Sequence, residues 1–348
     1  MNKQQNVFQV PENPGQVYNM NLDWKFFKPE DHTWPPAAAY AGAADSKGRQ
    51  FYEIDYDDQD WEDVSLPHTF NDRDSFRSVA NDSGDVGIYR GFAFYRKHFT
   101  LPQEHAGKKV FIEFEGVRQA AYVYLNGAMA GYYEAGVTPF GFDLSKHVRF
   151  GGPNVLAVAL DNTSSRDAAP GTYIRETRPG TTPGSNTGVE FQWNTKDFNP
   201  VFGGLTRNVR LCIKNQVYQT LPLYSNLKTK GIYVYAADFD IEAKMAVIHV
   251  ESEVRNELEE ARDLHLEVVV VDHQGQIVTS FTSPVTTAAP AKDRDQEYLT
   301  VVPPDAYDAY PAPTDISSRD STVLKASGQA EGLVFWSPET PYLYKVYS

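Results

Sequence analysis

The densest collection of side chains able to grip a ligand lies in Phe191-Gln-Trp-Asn-Thr-Lys-Asp-Phe-Asn-Pro200. Trp193, Asn194, Asp197 and Asn199 fall within seven residues of one another. A carboxylate such as Asp197 accepts hydrogen bonds from two neighbouring hydroxyls, and the amides both donate and accept. An indole adds a flat apolar face. Such a set could hold a polyol ring. The same types also suit a loop in which Asp and Asn cap turns and Trp packs locally, and residue types alone favour that account. Asn71 and Asp72 form a smaller polar pair, equally suited to an Asx turn closing a strand. His68 reads as a structural hydrogen-bonding group.

Other constellations dissolve on inspection. Asp55, Asp57, Asp58 and Asp60 crowd four acids together, but the glycine and distal glutamate of a calcium loop are missing, so a solvated edge is expected. Ser225-Asn-Leu-Lys228 has a Ser-x-x-Lys spacing without its companion motifs. The eight histidines are scattered, and the single cysteine, Cys212, sits in an apolar run as a packed thiol. An internal disulfide and a cysteine zinc site are thereby excluded. No phosphate loop or Gly-x-Gly-x-x-Gly is present. Neither a metal nor a cofactor is expected.

These side chains need strands to hold them. Tyr (21) and Phe (20) outnumber Met (4) in a way that favours sheets, and period-2 patterning recurs along the chain. Residues 110–114 and 154–160 read as strands, and Asn126-Gly127 between alternating flanks reads as a tight type I′ hairpin turn. Residues 163–188 are rich in Ser, Thr, Pro and Gly and read as a long loop. Regular structure is expected to return at Phe191 and to run through 205–213. A second series of strands, 247–254, 264–271 and 276–281, follows a polar joint at 214–216, with Asp272-His-Gln-Gly275 as a hairpin turn. Residues 288–332 read as a second irregular insert. The expected fold is therefore all-β. Its parts are an extension (1–17), a jelly-roll-like sandwich of galactose-binding type (18–215) and an immunoglobulin-like sandwich (216–348).

A net charge of −14 with no basic cluster argues against a nucleic-acid partner. No apolar run approaches the roughly 20 residues that span a bilayer, so no membrane partner is expected. Residues 1–10 carry one lysine and no apolar core, so no export signal is expected either. Cytoplasm and periplasm both stay open.

Several segments, taken in order, resemble glycoside hydrolase family 2. Asp58-Gln-Asp-Trp-Glu-Asp-Val-Ser-Leu-Pro-His-Thr-Phe70 is similar to the opening pattern of that family's sugar-binding domain. Gly91-Phe-Ala-Phe-Tyr-Arg-Lys-His-Phe99 resembles its Gly-x-x-Tyr-Arg-Lys-x-Phe strand. Tyr124-Leu-Asn-Gly127, Gly131-Tyr132 and Phe142-Asp-Leu-Ser145 match its hairpin and the strand beyond. Phe202-Gly-Gly-Leu-Thr-Arg-Asn-Val-Arg-Leu211 resembles its closing strand, and Trp336-Ser-Pro-Glu-Thr-Pro-Tyr-Leu-Tyr344 the end of the following immunoglobulin-like domain.

The resemblance implies a parent enzyme hydrolysing β-glycosides, most directly β-galactosides, with β-glucuronidase and β-mannosidase relatives built on the same front domains. Retaining hydrolysis needs two carboxylates about 5–5.5 Å apart. In the family these sit on a (β/α)₈ barrel of about 250 residues. The chain stops at Ser348, so it is expected to lack the barrel and to be inactive alone, with the barrel as its partner and a homo-oligomer open for the parent. Asn256-Glu257, an Asn-Glu pair of the family's catalytic type, lies between two strands where a solvated turn is expected. The family also implies that a loop before the closing strand contacts the sugar, which assigns substrate contact to Asp197 with Trp193, Asn194 and Asn199, and places Asn71 and Asp72 on the same rim. Two alternatives are a free-standing carbohydrate-binding module and a purely structural scaffold.

Overall fold

Alternation along the strand Phe92–Thr100 sets the layout of the first half of the protein. Ala93 and Tyr95 point into one buried cluster, Phe92 and Phe94 into another. Both faces of the sheet that contains them are therefore covered. In this computed structural model the described residues are 8–9, 15–29, 43–71, 92–118, 120–134, 138–161, 203–222, 229–291 and 321–348. They divide into two compact units, one holding Gly15–Ile213 and the other Lys214–Asp293 with Ile316–Ser348.

In the first unit a six-stranded antiparallel sheet runs in the order Glu62–Val64, Trp24–Phe27, Phe92–Thr100, Pro153–Asp161, Ala120–Leu125, Ala128–Glu134. A four-stranded sheet, Gln16–Asn19, Val209–Lys214, Lys109–Phe114, Phe140–Asp143, supplies the other layer. Their inner faces interdigitate through Trp24, Tyr95, Val123, Leu156 and Val158 from one sheet and Ile112, Phe114, Phe142 and Leu211 from the other. This is the jelly-roll-like sandwich. Asn126 and Gly127 both have positive φ, +53° and +87°, as a type I′ turn requires, and Leu125 pairs Ala128 across it.

The outer face of the six-stranded sheet carries Phe94, Tyr122 and Tyr124 beside the small Ala157 and Ala159. Residues 43–61 cover it with Phe51, Tyr56 and Trp61, and Tyr52 stacks on Tyr124 at 4.7 Å. Arg96 continues the outward parity and is fully buried. Its counter-charge is Asp58, so the acidic stretch at 55–60 is not simply a solvated edge: one of its four acids is buried in an ion pair at 2.7 Å.

The second unit is an immunoglobulin-like sandwich built on the long strand Met245–Asn256. Ile232–Asp240 and Thr322–Ala330 flank it on opposite sides, and Val217–Gln219 prolongs the first of these edges. Facing it is a sheet of Ile277–Thr282, Glu267–Val271 and Lys345–Tyr347. Val250, Val254, Val268, Val270 and Leu324 form the core between them.

Two expectations change. The strand expected over 264–271 is two strands in different sheets, because Leu266 leaves the ladder and pairs with Ser283 through N–H to Oγ at 2.9 Å and carbonyl to N–H at 2.8 Å. The irregular insert expected to reach residue 332 ends sooner, since Thr322–Ala330 is a strand with nine partners in Met245–Asn256. Of its inward positions only Leu324 is large, and Ala326, Gly328 and Ala330 are small, which hides the alternation from a hydrophobicity pattern. The smallness has a cause. A Cβ at Gly328 would lie 2.3 Å from Cδ1 of Phe281.

Candidate functional site

The register of the six-stranded sheet gathers one end of the first unit. Phe27 pairs Phe94, Phe92 pairs Asp161, Asp161 pairs Ala120, and Ala120 pairs Glu134. Strand ends facing the same way are thus aligned. Segments 30–42, 72–91, 135–137 and 162–202 all start or finish at this end. The opposite end carries the tight Asn126-Gly127 hairpin and the turns at 101–108 and 144–152.

At this same end the stretch from Leu66 to Asn71 is laced to Gly203–Leu205. His68 N–H donates to the Leu205 carbonyl at 2.8 Å and Phe70 N–H to the Gly203 carbonyl at 3.1 Å. Thr69 Oγ1 donates to the same Gly203 carbonyl at 2.9 Å. Gly203 N–H in turn donates to Oδ1 of Asn71 at 2.7 Å. On the other flank Gly204 and Leu205 pair Arg118 and Val117. The backbone here is so crowded that only glycine fits: at Gly204, φ is +143° and a Cβ would stand 2.3 Å from the His68 carbonyl oxygen.

Three motifs far apart in sequence therefore meet. His68 Nδ1 lies 2.8 Å from the Tyr95 hydroxyl, its ring packs edge-on against Phe26, and Phe70 stacks on Phe26. Burial pushes the Tyr95 phenol far above its ordinary pKa, so it stays neutral. Lys97, two residues on in the same strand, donates to the Leu22 carbonyl at 2.6 Å, and burial lowers its pKa.

Of the residues expected to contact a sugar, Asn71 is described. Its side chain is fully buried and anchors Gly203, which directly follows the segment carrying Trp193, Asn194, Asp197 and Asn199. Asp72, Trp193, Asn194, Asp197 and Asn199 lie outside the described residues, as does Ser225-Asn-Leu-Lys228. What the structure brings together is the two places where the chain passes into these candidates: Asn71, which precedes Asp72, and Gly203, which follows residue 202.

Asn256-Glu257 is not a solvated turn throughout. Asn256 is buried and its Nδ2 donates to the Glu260 carbonyl at 2.8 Å and the Ala288 carbonyl at 3.0 Å. Glu257 accepts from the Tyr218 hydroxyl at 2.8 Å and pairs with Arg255 at 2.9 Å. The pair is structural. Cys212 is buried. Among the described residues no three His, Cys, Asp or Glu side chains gather as metal ligands would, and no helix is long and apolar enough to cross a membrane.

The Asp58–Arg96 contact is not anticipated from residue types, yet a signal exists. Strand alternation puts Arg96 on the face of Phe92 and Phe94, and a cation on a covered face requires an anion.

Residues 27–215 match the model of the glycosyl hydrolases family 2 sugar binding domain. A β-glucuronidase from Formosa agariphila is 40% identical over 264 residues, taking in 75% of this chain and 23% of that protein. A β-galactosidase from Thermoanaerobacter pseudethanolicus is 31% identical over 203 residues, 58% of this chain and 21% of that one. Among solved structures, a β-glucuronidase of glycoside hydrolase family 2 superposes with a TM-score of 0.69 at 32% identity, over 97% of this chain and 29% of its own length. The Bacteroides uniformis β-glucuronidase superposes at 0.61 with 20% identity, over 95% of this chain and 30% of that one, a likeness of fold alone. The chain spans about a quarter of these proteins.

Proposed function

Because the chain belongs to glycoside hydrolase family 2, through a sugar-binding domain covering residues 27–215, we propose that it is the non-catalytic front portion of a glycosidase that hydrolyses terminal β-glycosidic bonds. In this reading the two sandwiches are scaffold, and residues 191–200 form a substrate-facing loop. The catalytic carboxylates belong to a (β/α)₈ barrel that this portion supports. Its sugar is a β-galactoside or a β-glucuronide, the two substrate types in the names of the relatives.

One observation carries the reading. Thr69 donates to the Gly203 carbonyl and Asn71 accepts from the Gly203 N–H, so the residue that follows segment 162–202 is fixed at the sandwich end where segments 30–42 and 72–91 also meet the sheet. A loop so clamped can project from a rigid base, which is how binding loops are usually positioned. Asp197 would accept from two sugar hydroxyls while Trp193 covers the apolar face of the ring, and Asn194, Asn199 and Asp72 would complete the polar rim. Asn71, with its Oδ1 committed to Gly203, supports this rim through the backbone beside it.

Two measurements test the proposal. The purified 348-residue chain should show no turnover of nitrophenyl β-galactoside or β-glucuronide. Turnover that disappears on replacing a carboxylate within the chain overturns the reading. Sequencing the gene beyond codon 348 should show an open frame encoding alternating strands and helices with an Asn-Glu pair. A stop codon there overturns the barrel partnership and leaves a free-standing module.

A further inference from the structure

The strand Ile232–Asp240 is a sheet edge. Met245–Asn256 pairs with it on one side, and Thr322–Ala330 takes the opposite side of Met245–Asn256. On its outer edge the strand has no strand partner among the described residues. Native proteins blunt such edges with Lys, Pro, bulges or brevity, because unpaired N–H and carbonyl groups template further pairing. Here Ile232-Tyr-Val-Tyr-Ala-Ala237 holds no charge and no proline. The bulge comes only after Ala237, where Asp238 has φ +50°.

Both faces of this stretch are apolar and open to solvent. Ile232 is 44% exposed, Tyr233 54%, Val234 41% and Tyr235 39%. On one face Tyr233 and Tyr235 form a row with His249, with ring centroids 5.4 Å and then 4.7 Å apart. Ile232 and Val234 occupy the other face, opposite Ser252 and Val250.

The charges at the two ends identify the occupant. Lys230 stands just before the uncharged stretch, and Asp238 and Asp240 just after it, all three exposed. A second copy laid antiparallel meets this pattern with its own reversed. A two-fold axis through the middle of the stretch, near Val234 and Tyr235, brings the Lys230 end of each copy to the other copy's Asp238 and Asp240 end. Opposite charges placed across strands favour pairing, and like charges oppose it. A parallel partner would set like against like.

We propose that Ile232–Asp240 is a self-association edge, through which two copies of this chain join their second units into one continuous antiparallel sheet. The contact closes by two-fold symmetry and does not propagate.

Sedimentation of the 348-residue chain tests this. A reversible monomer–dimer equilibrium is expected with a Kd on the order of 10 µM, as befits a small interface. Val234→Lys should raise Kd at least about tenfold with an unchanged thermal midpoint, because this side chain is not in the core. Lys230→Glu should weaken the dimer likewise, and swapping the pair of end charges (Lys230→Glu with Asp238→Lys and Asp240→Lys) should restore it. Independently of any variant, amide exchange at 232–237 should slow as concentration rises. A chain monomeric throughout overturns the proposal, as does a dimer indifferent to Val234→Lys. Failure of the swapped pair to recover association overturns it too, and so does exchange at 232–237 that ignores concentration.

Discussion

Nε of Arg96 donates to Oδ2 of Asp58 at 2.7 Å, across 38 residues of sequence, with the guanidinium fully buried. His98 Nε2 lies 2.7 Å from the same oxygen. Arg96 also donates to the carbonyls of Phe51 and Glu53 and lies 4.9 Å from the centre of the Tyr56 ring. One side chain thereby fastens the covering segment 43–61 to the outer face of the six-stranded sheet. That attachment lets a sheet be aromatic on both faces without exposing either.

Asp58→Ala leaves Arg96 buried without its counter-charge. Removing one member of such a pair costs roughly 3–5 kcal/mol. The denaturant midpoint of the first unit should fall accordingly, and protease should cut within 43–61 at conditions where the parent chain resists. An unchanged midpoint would show that the ion pair is dispensable.

The same carboxylate makes an acid-sensitive contribution. Burial pushes the Asp58 pKa up, but the hydrogen bonds from His98 and Arg96 outweigh it and hold the group at about 2, below its ordinary 3.8. A depressed folded pKa stabilises the fold above the ordinary value, and that contribution is lost as pH falls from about 4 to about 2. The gap in thermal midpoint between the parent chain and Asp58→Asn should be constant from neutrality down to about pH 4 and close below it. A gap that persists at pH 2 would contradict the assignment.

Gly204→Ala should be among the most damaging single-methyl additions in the protein. It combines a left-handed φ with a Cβ 2.3 Å from backbone, and at least about 2 kcal/mol is expected. Gly127→Ala has only the φ problem, with nothing within 4 Å, and should cost about 1 kcal/mol. Chemical denaturation of the two variants gives the comparison, and equal losses would refute it.

Gly328→Ala should destabilise the second unit by about 1–3 kcal/mol, because the Phe281 ring occupies the space of the new methyl. Phe281→Leu in the same chain should recover part of the loss. A double-mutant cycle without coupling would show that the ring yields freely.

Asp197 and Asn71 should separate cleanly in a full-length enzyme bearing this front portion. Asp197→Ala should raise KM about tenfold with the thermal midpoint unchanged, the signature of a lost substrate contact. Asn71→Ala should lower the midpoint by the roughly 1–3 kcal/mol of an unsatisfied buried N–H at Gly203. Wild-type kinetics in Asp197→Ala would return the loop to a capping role.

How much of this was legible in the sequence follows from the range of each interaction. The hairpin at Asn126-Gly127, the turn closed by Asp272, the strands 110–114 and 154–160 and the all-β class depend on neighbours a few residues apart, and local patterning sufficed for them. The strand Thr322–Ala330 escaped because most of its inward face is small, and at Gly328 that smallness is set by Phe281, distant in sequence. The buried Asp58–Arg96 pair looked like part of a solvated acidic run, since nothing local marks which of four acids meets a cation. For the candidate site, residue types named the groups able to hold a sugar. Only the tertiary structure joins Asn71 to Gly203 across 132 residues, because a hydrogen bond from a backbone N–H to a side chain so distant in sequence depends on how sheets stack and not on any adjacent pattern.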